Sequence, residues 1–492
     1  MSFKNKLKEA YSNKVTAPKG YQELNNKIEI KKTHHNAFKT IKWVSIGSLS
    51  LVGTFVLVIA SVAIFSNMKI TENFADSVKK ARFSMYDTNL LESETFKRLN
   101  NITYDEEKKN EPISEDFVAY VNKFGEKTYQ GFDKSSNFAY SPLMAYTQMD
   151  LISLALSDNE AIAEVDDALG TSNKTLRGTN VYNAMLNNSY ADKKEKSTVQ
   201  AKNAVFYDPY RPQSDIKQEF LTGLTSRRAE VYNVSYDSDR DINSILQWID
   251  ESVNEKGFFN KDDLDLDNNP NKYSFMMFVS SLYFDNAWRS KYVTKDTKDD
   301  TFYLSNGETV TTKFMNHVII SHFKDFGDYV SVKDDYRYGY CVEYFVPKKI
   351  EDSIFDVLPN DFLTRETEEK EYGPISLSVP KLDMTCKCEI TDIIKGAGIQ
   401  KMYDETGNCL LNACETPTFE FSYVKCTKQK TSVSFDEDGT VVKTVTFSVG
   451  NGGQSARPGN GYEVTLNQPF VYVIKDSNGL PLVLGAVNNP IA

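Results

Sequence analysis

The pattern of apolar and polar positions divides most of the chain into a helix-rich part followed by a strand-rich part. Residues 116–124 place apolar side chains at helical spacing, and Ser141 with Pro142 has the form of an N-cap followed by proline at the first helical position. After Tyr273 the apolar runs are short, rich in β-branched and aromatic residues, and bounded by turn residues. Examples are residues 275–284, 340–347, 375–379 and 471–474. Helices first and strands afterwards predict an α+β domain built on large mixed β-sheets.

One apolar stretch stands apart from this pattern. Residues 43–65 are 23 consecutive uncharged residues, which at a helical rise of ~1.5 Å per residue is enough to cross a hydrocarbon layer of ~30 Å. A cleaved signal peptide is the alternative, but its apolar core usually runs only ~7–15 residues. The stretch therefore predicts one uncleaved transmembrane helix.

The distribution of charge predicts the orientation of this helix in the membrane. Residues 1–42 hold ten Lys and three Glu, a net charge of +7, whereas the rest of the chain holds 47 basic and 65 acidic residues, a net charge of −18. Basic segments remain on the cytoplasmic side of a membrane. We therefore expect a single-pass protein of the plasma membrane, with residues 1–42 as a basic cytoplasmic tail and everything after residue 65 outside the cell.

The outer part divides into two regions. Residues 66–112 are dense in Lys, Glu, Asn and Asp and predict a polar stalk. Residues 113–492 continue without a Pro/Gly-rich break, and a chain that is 40% hydrophobic and 12% aromatic can bury a sizeable core, so one large domain is predicted. Nothing in the sequence has the features of a nucleic-acid-binding protein.

All six cysteines follow the apolar stretch, in a compartment that permits disulfides. Their spacing is not that of a dense disulfide framework. Cys386 and Cys388 alternate as on one face of a strand, and no paired Cys/His motif accompanies them. Buried free thiols, or one or two incidental bridges, are expected, and no metal site.

Catalytic motifs are missing from the outer sequence. It holds only His317 and His322, no His-Glu-x-x-His and no Gly-x-Ser-x-Gly, and the Ser-x-x-Lys at Ser214 lacks its companion motifs. The acidic run 262–267 lacks the glycine of a calcium loop and predicts a solvated connection between a helix and a strand. The chain is therefore not predicted to be an enzyme, and no cofactor is expected.

A series of short motifs gives the sharper prediction. In chain order they include Phe138-Ala-Tyr-Ser-Pro-Leu143, Asp167-Ala-Leu-Gly170, Asn203-Ala-Val-Phe206, Ser280-Ser-Leu-Tyr-Phe284 to Trp288, Val379-Pro-Lys-Leu382, Asp436-Glu-Asp-Gly-Thr440 and Gln468-Pro-Phe470. No single motif is specific, but their order over nearly 380 residues resembles that of the serpins, a family of serine protease inhibitors. The resemblance implies a suicide substrate: a serine or cysteine protease cleaves an exposed loop, here about residues 437–468, and the severed arm inserts into the central sheet.

The resemblance also assigns roles within this loop. Glu437 matches the hinge glutamate, Gly439 the hinge glycine and Thr440 the first residue to enter the sheet. If Thr440 points into the core, strand alternation predicts that Val442 and Thr444 do the same.

Two counts give two candidate scissile bonds. The inserting arm of about seventeen residues, which spans ~55 Å as a strand, reaches from Glu437 to Gly453-Gln454. Counting back from Pro469 by the family's usual spacing falls instead near Arg457-Pro458. We prefer the hinge count, because the inserted arm is the part with a fixed length.

Two features depart from the inhibitory pattern. The family places a hydrogen-bonded cluster under the sheet, and the matching positions, with Ser141 at the helix start, are Met144, Ser280 and Gln429. Gln429 and Ser280 could still pair, but Met144 cannot replace a hydroxyl. Residues 441–447 also hold β-branched and aromatic residues where inhibitors hold small ones, and their β-propensity suggests that a mainly monomeric protein could polymerise by loop insertion into a neighbouring copy.

Alternative functions stay open at this point. If residues 441–449 paired with residues 462–466 across the glycine-rich turn, the loop would be a rigid hairpin and the domain a non-inhibitory serpin that serves as a surface binding module. The outer domain could also be a sensor whose output is the cytoplasmic tail, although that tail contains no recognisable module. A basic anchor at anionic lipid headgroups is the favoured role of the tail.

Overall fold

The computed structural model describes residues 95–102, 111–192, 197–269, 272–368, 370–416, 419–442 and 462–491. All of them belong to the unit Asn89–Ala492. The tail 1–42 and the predicted transmembrane segment 43–65 lie outside the described residues. Among the residues that are described, no helix has the length and apolar character needed to cross a membrane.

The helices come mainly in the first half of the domain, as predicted. The described α-helices are α1 Glu115–Tyr129, α2 Pro142–Ser153, α3 Asn159–Ala168, α4 Lys174–Asn187, α5 Gln218–Thr225, α6 Asp239–Ser252, α7 Ile354–Val357 and α8 Thr391–Gly396. Ser141 caps α2 by accepting a hydrogen bond from the Met144 N–H at 3.2 Å, and Pro142 occupies the first turn. The signal read from the sequence at this point is confirmed.

Strands occupy most of the second half. In chain order they are β1 Lys97–Arg98, β2 Phe138–Tyr140, β3 Ser189–Asp192, β4 Ser197–Tyr207, β5 Ala229–Asn233, β6 Asn268–Asn269, β7 Lys272–Tyr273, β8 Met276–Ala287, β9 Lys298–Tyr303, β10 Thr309–Asp325, β11 Tyr329–Asp335, β12 Cys341–Pro347, β13 Lys370–Pro380, β14 Leu382–Glu389, β15 Lys428–Phe435, β16 Gly439–Val442, β17 Tyr462–Thr465, β18 Phe470–Lys475 and β19 Pro481–Val487.

These strands form two large sheets. The first sheet has the order β1-β5-β4-β8-β16-β15-β14, with β3 paired to β4. The second sheet has the order β17-β13-β10-β11-β12-β18-β19-β2, with β9 paired to β10. Both contain parallel and antiparallel pairs, so the prediction of an α+β fold with large mixed sheets is confirmed.

The main core joins the two sheets with helices α1 and α2. It includes Phe124 of α1, Leu143 of α2, Phe284 of β8 and Tyr472 of β18, all of them buried. Helix α6 lies on the first sheet, where Ile245 and Ile249 form a second cluster with residues of β4. The first sheet is therefore covered on both faces, and any strand added at its centre enters a packed environment.

The described chain begins before the predicted domain boundary. Residues 95–102 lie within the stretch expected to be the stalk, yet they supply strand β1 of the first sheet. The Nδ2 groups of Asn187 and Asn183 in α4 donate to the carbonyls of Glu111 and Pro112, each at 3.1 Å. The folded part thus includes these residues as well.

The six cysteines are all free. Burial raises the pKa of each thiol, for Cys341, Cys386 and Cys409 to about 11. Cys409 and Cys414 are buried and the other four are half-buried. Since the thiolate is the reactive form, a raised pKa makes these thiols less reactive at neutral pH.

Candidate functional site

The predicted hinge forms a tight hairpin at the centre of the first sheet. The Asp436 carboxylate accepts hydrogen bonds from the N–H groups of Asp438 at 2.9 Å and Gly439 at 3.1 Å. The chain then returns as β16, which pairs antiparallel with β15 on one side and β8 on the other. The start of the predicted reactive loop is thus already a strand of this sheet.

The inward face of β16 shows the alternation expected from Thr440 onward. Thr440 is fully buried and Val442 is 5% exposed, whereas Val441 between them is half-buried. Beneath the strand, the Tyr336 hydroxyl donates to Thr440 Oγ1 at 2.6 Å. Thr444, the next residue predicted to point inward, lies outside the described residues.

Gly439 is required for space. A Cβ atom at this position would lie 2.3 Å from the carbonyl oxygen of Asn286 and 2.9 Å from Cα of Ala287, both backbone atoms of β8. Its φ is not in the left-handed region, so conformational freedom is not the reason for glycine here. Glycine instead allows β16 to approach β8 closely.

Trp288 stabilises the turn through two hydrogen bonds. Its indole Nε1 donates to the carbonyl of Asp436 at 2.7 Å, and its backbone N–H donates to the carbonyl of Asp438 at 3.1 Å. The Trp288 ring stacks on Tyr336 with centroids 4.4 Å apart. The turn and the inward face of β16 therefore share one aromatic support.

Glu437 makes a half-buried ionic contact at the hinge. Its carboxylate is 2.7 Å from Nζ of Lys381 and accepts the Thr297 hydroxyl at 2.8 Å. Burial raises the pKa of this carboxyl, but the hydrogen bonds from Lys381 and Thr297 outweigh burial and hold the pKa below its usual range. The carboxylate is therefore charged at neutral pH and holds the hinge against the chain between β13 and β14.

No local pattern in the sequence assigns roles to these supporting residues. Trp288 and Lys381 were among the quoted motifs, yet nothing in their local pattern indicates contacts with residues about 150 and 56 positions away. Tyr336 and Thr297 carried no signal of their own. Only the pairing of distant strands brings them to the hinge.

Below β16 the first sheet contains a gap. In the described ranges no backbone ladder joins β8 to β15, although each pairs fully with its outer neighbour. A cavity of about 180 Å³ lies between β8 and β15. Val442, the last described residue of β16, lines it, and so do Ile249 and Val253 from the region of α6. The gap extends beyond Val442 in the direction in which β16 runs.

The four residues of the predicted sheet-opening cluster all line this cavity. Gln429 Oε1 accepts the Ser141 N–H at 2.6 Å, and Gln429 Nε2 donates to the Ser141 carbonyl at 3.3 Å. The Ser280 hydroxyl is buried and has no hydrogen-bond partner among the described residues, and the buried Met144 lines the same cavity. Gln429 thus links β15 to helix α2, and no hydrogen bond joins Gln429 to Ser280, a pairing that the sequence left open.

The two described ends of the loop belong to different sheets. Val442 ends in the first sheet, whereas Tyr462 begins β17, which pairs in parallel with β13 at the edge of the second sheet. The described ends therefore do not pair with each other as a rigid hairpin would require. Residues 443–461 lie outside the described residues, and with them both candidate scissile bonds, Gly453-Gln454 and Arg457-Pro458.

The acidic run 262–267 is more than the expected solvated connection. It belongs to the chain between α6 and β8, and its carboxylates pair with lysines of the opposite side of the gap. We call this set the ionic clasp, and it consists of Asp263, Asp265 and Asp267 with Lys387, Lys425 and Lys428. Within the described ranges no group of three or more His, Cys, Asp and Glu side chains could hold a metal ion.

A first sheet that holds the start of a loop as a central strand, in line with a gap between β8 and β15, is the defining feature of this fold. Comparison with known proteins gives the family: a model described as "Serpin (serine protease inhibitor)" matches residues 119–490. The chain belongs to the serpin family, whose members are generally protease inhibitors.

Known relatives and solved structures agree with this assignment. The chain is 22% identical over 399 residues to Serpin-Z2A of Triticum aestivum, covering 76% of this chain and 96% of that protein. It is 23% identical over 389 residues to pigment epithelium-derived factor of Bos taurus, covering 76% and 87%. The fold is similar to that of the thermophilic serpin Tengpin in its native state, with a TM-score of 0.63, 19% identity and coverage of 77% and 95%.

Proposed function

We propose that this protein is a suicide-substrate inhibitor of serine or cysteine proteases, with residues of about 437–468 as the reactive loop. The observation that carries the proposal is β16, a short strand already inserted between β8 and β15 directly above an unfilled gap. After cleavage, further residues would enter this gap as the continuation of β16. Strain stored in the uncleaved loop would then drive the change, without a cofactor.

The register of β16 indicates which residues would meet on insertion. Val441 lies opposite Ser434 and Asp285, so continuing both ladders places Thr446 opposite Gln429 and Ser280 together. The Thr446 hydroxyl would then come beside the Ser280 hydroxyl, which has no partner in the structure. A buried polar group without a partner favours any state that supplies one. This match supports insertion despite the bulky residues in the arm.

We further propose the cellular setting. Residues 43–65 would anchor the protein in the plasma membrane with residues 1–42 in the cytoplasm, and the inhibitory domain would act outside the cell on proteases near the surface. The domain would act as a monomer, with polymerisation through loop insertion as its failure mode. One structural neighbour, with a TM-score of 0.61 and 18% identity, is itself a loop C-sheet serpin polymer.

The test is to mix the purified full-length chain with a panel of serine and cysteine proteases. Denaturing gels should show a covalent complex of the summed mass, and sequencing the C-terminal peptide that separates on denaturation decides between Gly453-Gln454 and Arg457-Pro458. Thr440→Arg places a charge in a fully buried position of β16 and should abolish the complex while cleavage continues. Glu463→Arg, on the exposed side of β17, is the matched control and should keep the complex.

Other results contradict the proposal. Clean cleavage with no complex indicates a substrate-like serpin, and resistance to every protease favours a non-inhibitory surface binding or sensor module. A complex that forms equally well with Thr440→Arg contradicts insertion through β16.

A further inference from the structure

A short N-terminal segment extends the first sheet at its outer edge. Lys97 and Arg98 pair antiparallel with Asn233 and Tyr232 of β5, and the Leu99 N–H donates to the Val231 carbonyl at 2.7 Å. Without this segment β5 would present an unpaired edge, because its other side pairs with β4. We call residues 95–100 the strap.

Asn100 completes the ladder with its side chain. Its Oδ1 accepts the Val231 N–H at 2.9 Å, while its Nδ2 donates to the Ala229 carbonyl at 2.9 Å and to Thr225 Oγ1 at 2.8 Å. A carboxamide that both donates to and accepts from the neighbouring backbone replaces a peptide group of a strand. The end of the strap is therefore specifically held.

Phe96 anchors the strap in the second cluster. Its side chain is 4% exposed, and its ring stacks on Tyr232 with centroids 5.0 Å apart and lies 6.4 Å from Phe206. Phe206 in turn contacts Trp248 of α6 edge to face at 5.8 Å. The strap thus shares one packed cluster with the helix that covers the sheet.

A polar chain follows the same route. Arg98 lies 3.4 Å from Glu230, and the same carboxylate of Glu230 accepts the Trp248 indole N–H at 2.8 Å and the Tyr232 hydroxyl at 2.7 Å. Without Arg98, the half-buried carboxylate of Glu230 would lose its positively charged partner and keep the neutral donors Trp248 and Tyr232. The strap therefore supports the position of Trp248 both by packing and by charge.

Helix α6 lies over the gap that an entering strand must use. Ile249 and Val253, at the end of α6, line the cavity between β8 and β15. A strand that fills the cavity has to displace these side chains, so α6 must lift away from the sheet at least transiently. Contacts that hold α6 down therefore slow insertion.

We propose that the strap regulates loop insertion by holding α6 on the first sheet. This inference rests on the proposed inhibitory function, since it names the control of that same insertion. The ladder between the strap and β5 can persist whether or not the gap is filled, so it does not favour either state. The contacts of Trp248 with Phe206 and Glu230, which the strap supports through Phe96 and Arg98, are lost while α6 is lifted, so the strap acts on the rate of insertion.

Amide hydrogen exchange of the full-length chain tests the proposal without any protease. In Phe96→Ala the amides of α6 and of the part of β8 that lines the cavity should exchange about tenfold faster than in the wild type. The reason is that burial of a phenylalanine side chain changes the equilibrium constant for opening of such a packed cluster by more than a factor of ten. Lys97→Ala, on the exposed face of the same strand, is the matched control and should leave exchange unchanged. Phe96→Leu should restore most of the protection.

A second readout measures insertion itself. On warming, Phe96→Ala should lose complex-forming activity about tenfold faster than Lys97→Ala. If no protease is ever trapped but α6 exchange still increases in Phe96→Ala alone, the inhibitory function fails and the action of the strap on α6 stands. If proteases are trapped and Phe96→Ala matches Lys97→Ala in both readouts, the strap proposal is wrong.

Discussion

Ser280 and Gly439 show how single atoms set the state of the first sheet. Ser280 carries a buried hydroxyl that has no partner among the described residues, so no protein group there offsets the loss of its hydrogen bonds to bulk water. Gly439 lacks the side chain that the backbone of β8 would exclude. One residue makes the present state less stable than it could be, and the other makes the inserted hinge possible.

Ser280→Ala should therefore stabilise the uncleaved protein. Removing an unsatisfied hydroxyl is expected to raise the free energy of unfolding by about 1 kcal/mol, measured by urea denaturation. Ser281→Ala on the same strand is the control, since the Ser281 hydroxyl has an acceptor in the Lys202 carbonyl at 3.4 Å, and it should be neutral or slightly destabilising. Destabilisation by Ser280→Ala would mean that the hydroxyl does have a partner.

Gly439→Ala should weaken the attachment of β16. The new Cβ atom forces backbone apart, so we expect a loss of about 1–3 kcal/mol in the free energy of unfolding and faster amide exchange at Thr440 and Val441. Gly373→Ala in β13 is the matched control, because a Cβ atom there meets nothing within 4 Å. Equal effects of the two substitutions would contradict the close approach of β16 to β8.

At the scale of elements, the ionic clasp joins the two sides of the gap. The connection that carries Asp265 leads from α6 into β8, while Lys428 belongs to β15 and Lys387 to β14. Asp265 is 2.7 Å from Lys428 and 3.0 Å from Lys425, and these hydrogen bonds lower its pKa to about 2. The strap acts at the outer edge of the sheet, whereas the clasp acts directly across the gap.

Asp265→Asn should weaken the clasp in a way that depends on pH and salt. Asn suits the left-handed conformation of this position, so the substitution changes mainly the charge. We expect a loss of about 1 kcal/mol in the free energy of unfolding at pH 7, a value reduced for solvent screening and smaller still in 1 M NaCl.

The pH dependence of this effect has a defined sign. Because the folded-state pKa lies below the ordinary value, the stabilisation is complete above about pH 4 and is lost as the pH falls towards 2, so variant and wild type should converge there. Asp299→Asn, in the exposed pair with Lys313, is the control and should have little effect at any pH. A constant difference across this pH range would contradict the charge mechanism.

At the scale of the whole molecule, the sequence predicts the fold better than the site. Helix starts such as Ser141-Pro142 and short β-branched runs depend on neighbours in the chain, which is why the α+β order could be predicted. The order of motifs also led to the prediction of the hinge. The contacts of Lys381 with Glu437 and of Gln429 with Ser141 join residues far apart in the chain, and no local pattern specifies such pairs. The burial of Phe96 likewise could not be predicted, because one aromatic residue in a polar segment shows no hydrophobic periodicity.

The placement of the last strands has a consequence for what a protease leaves behind. Strands β18 and β19 follow the loop in the chain, yet they lie inside the second sheet between β12 and β2, paired on both sides. A cut anywhere within residues 443–461 would leave the C-terminal piece bound by these ladders. The nicked protein would keep its mass in gel filtration and separate into two pieces only when denatured. Each cleaved molecule would thus carry one broken peptide bond permanently, while both pieces stay together in the folded protein.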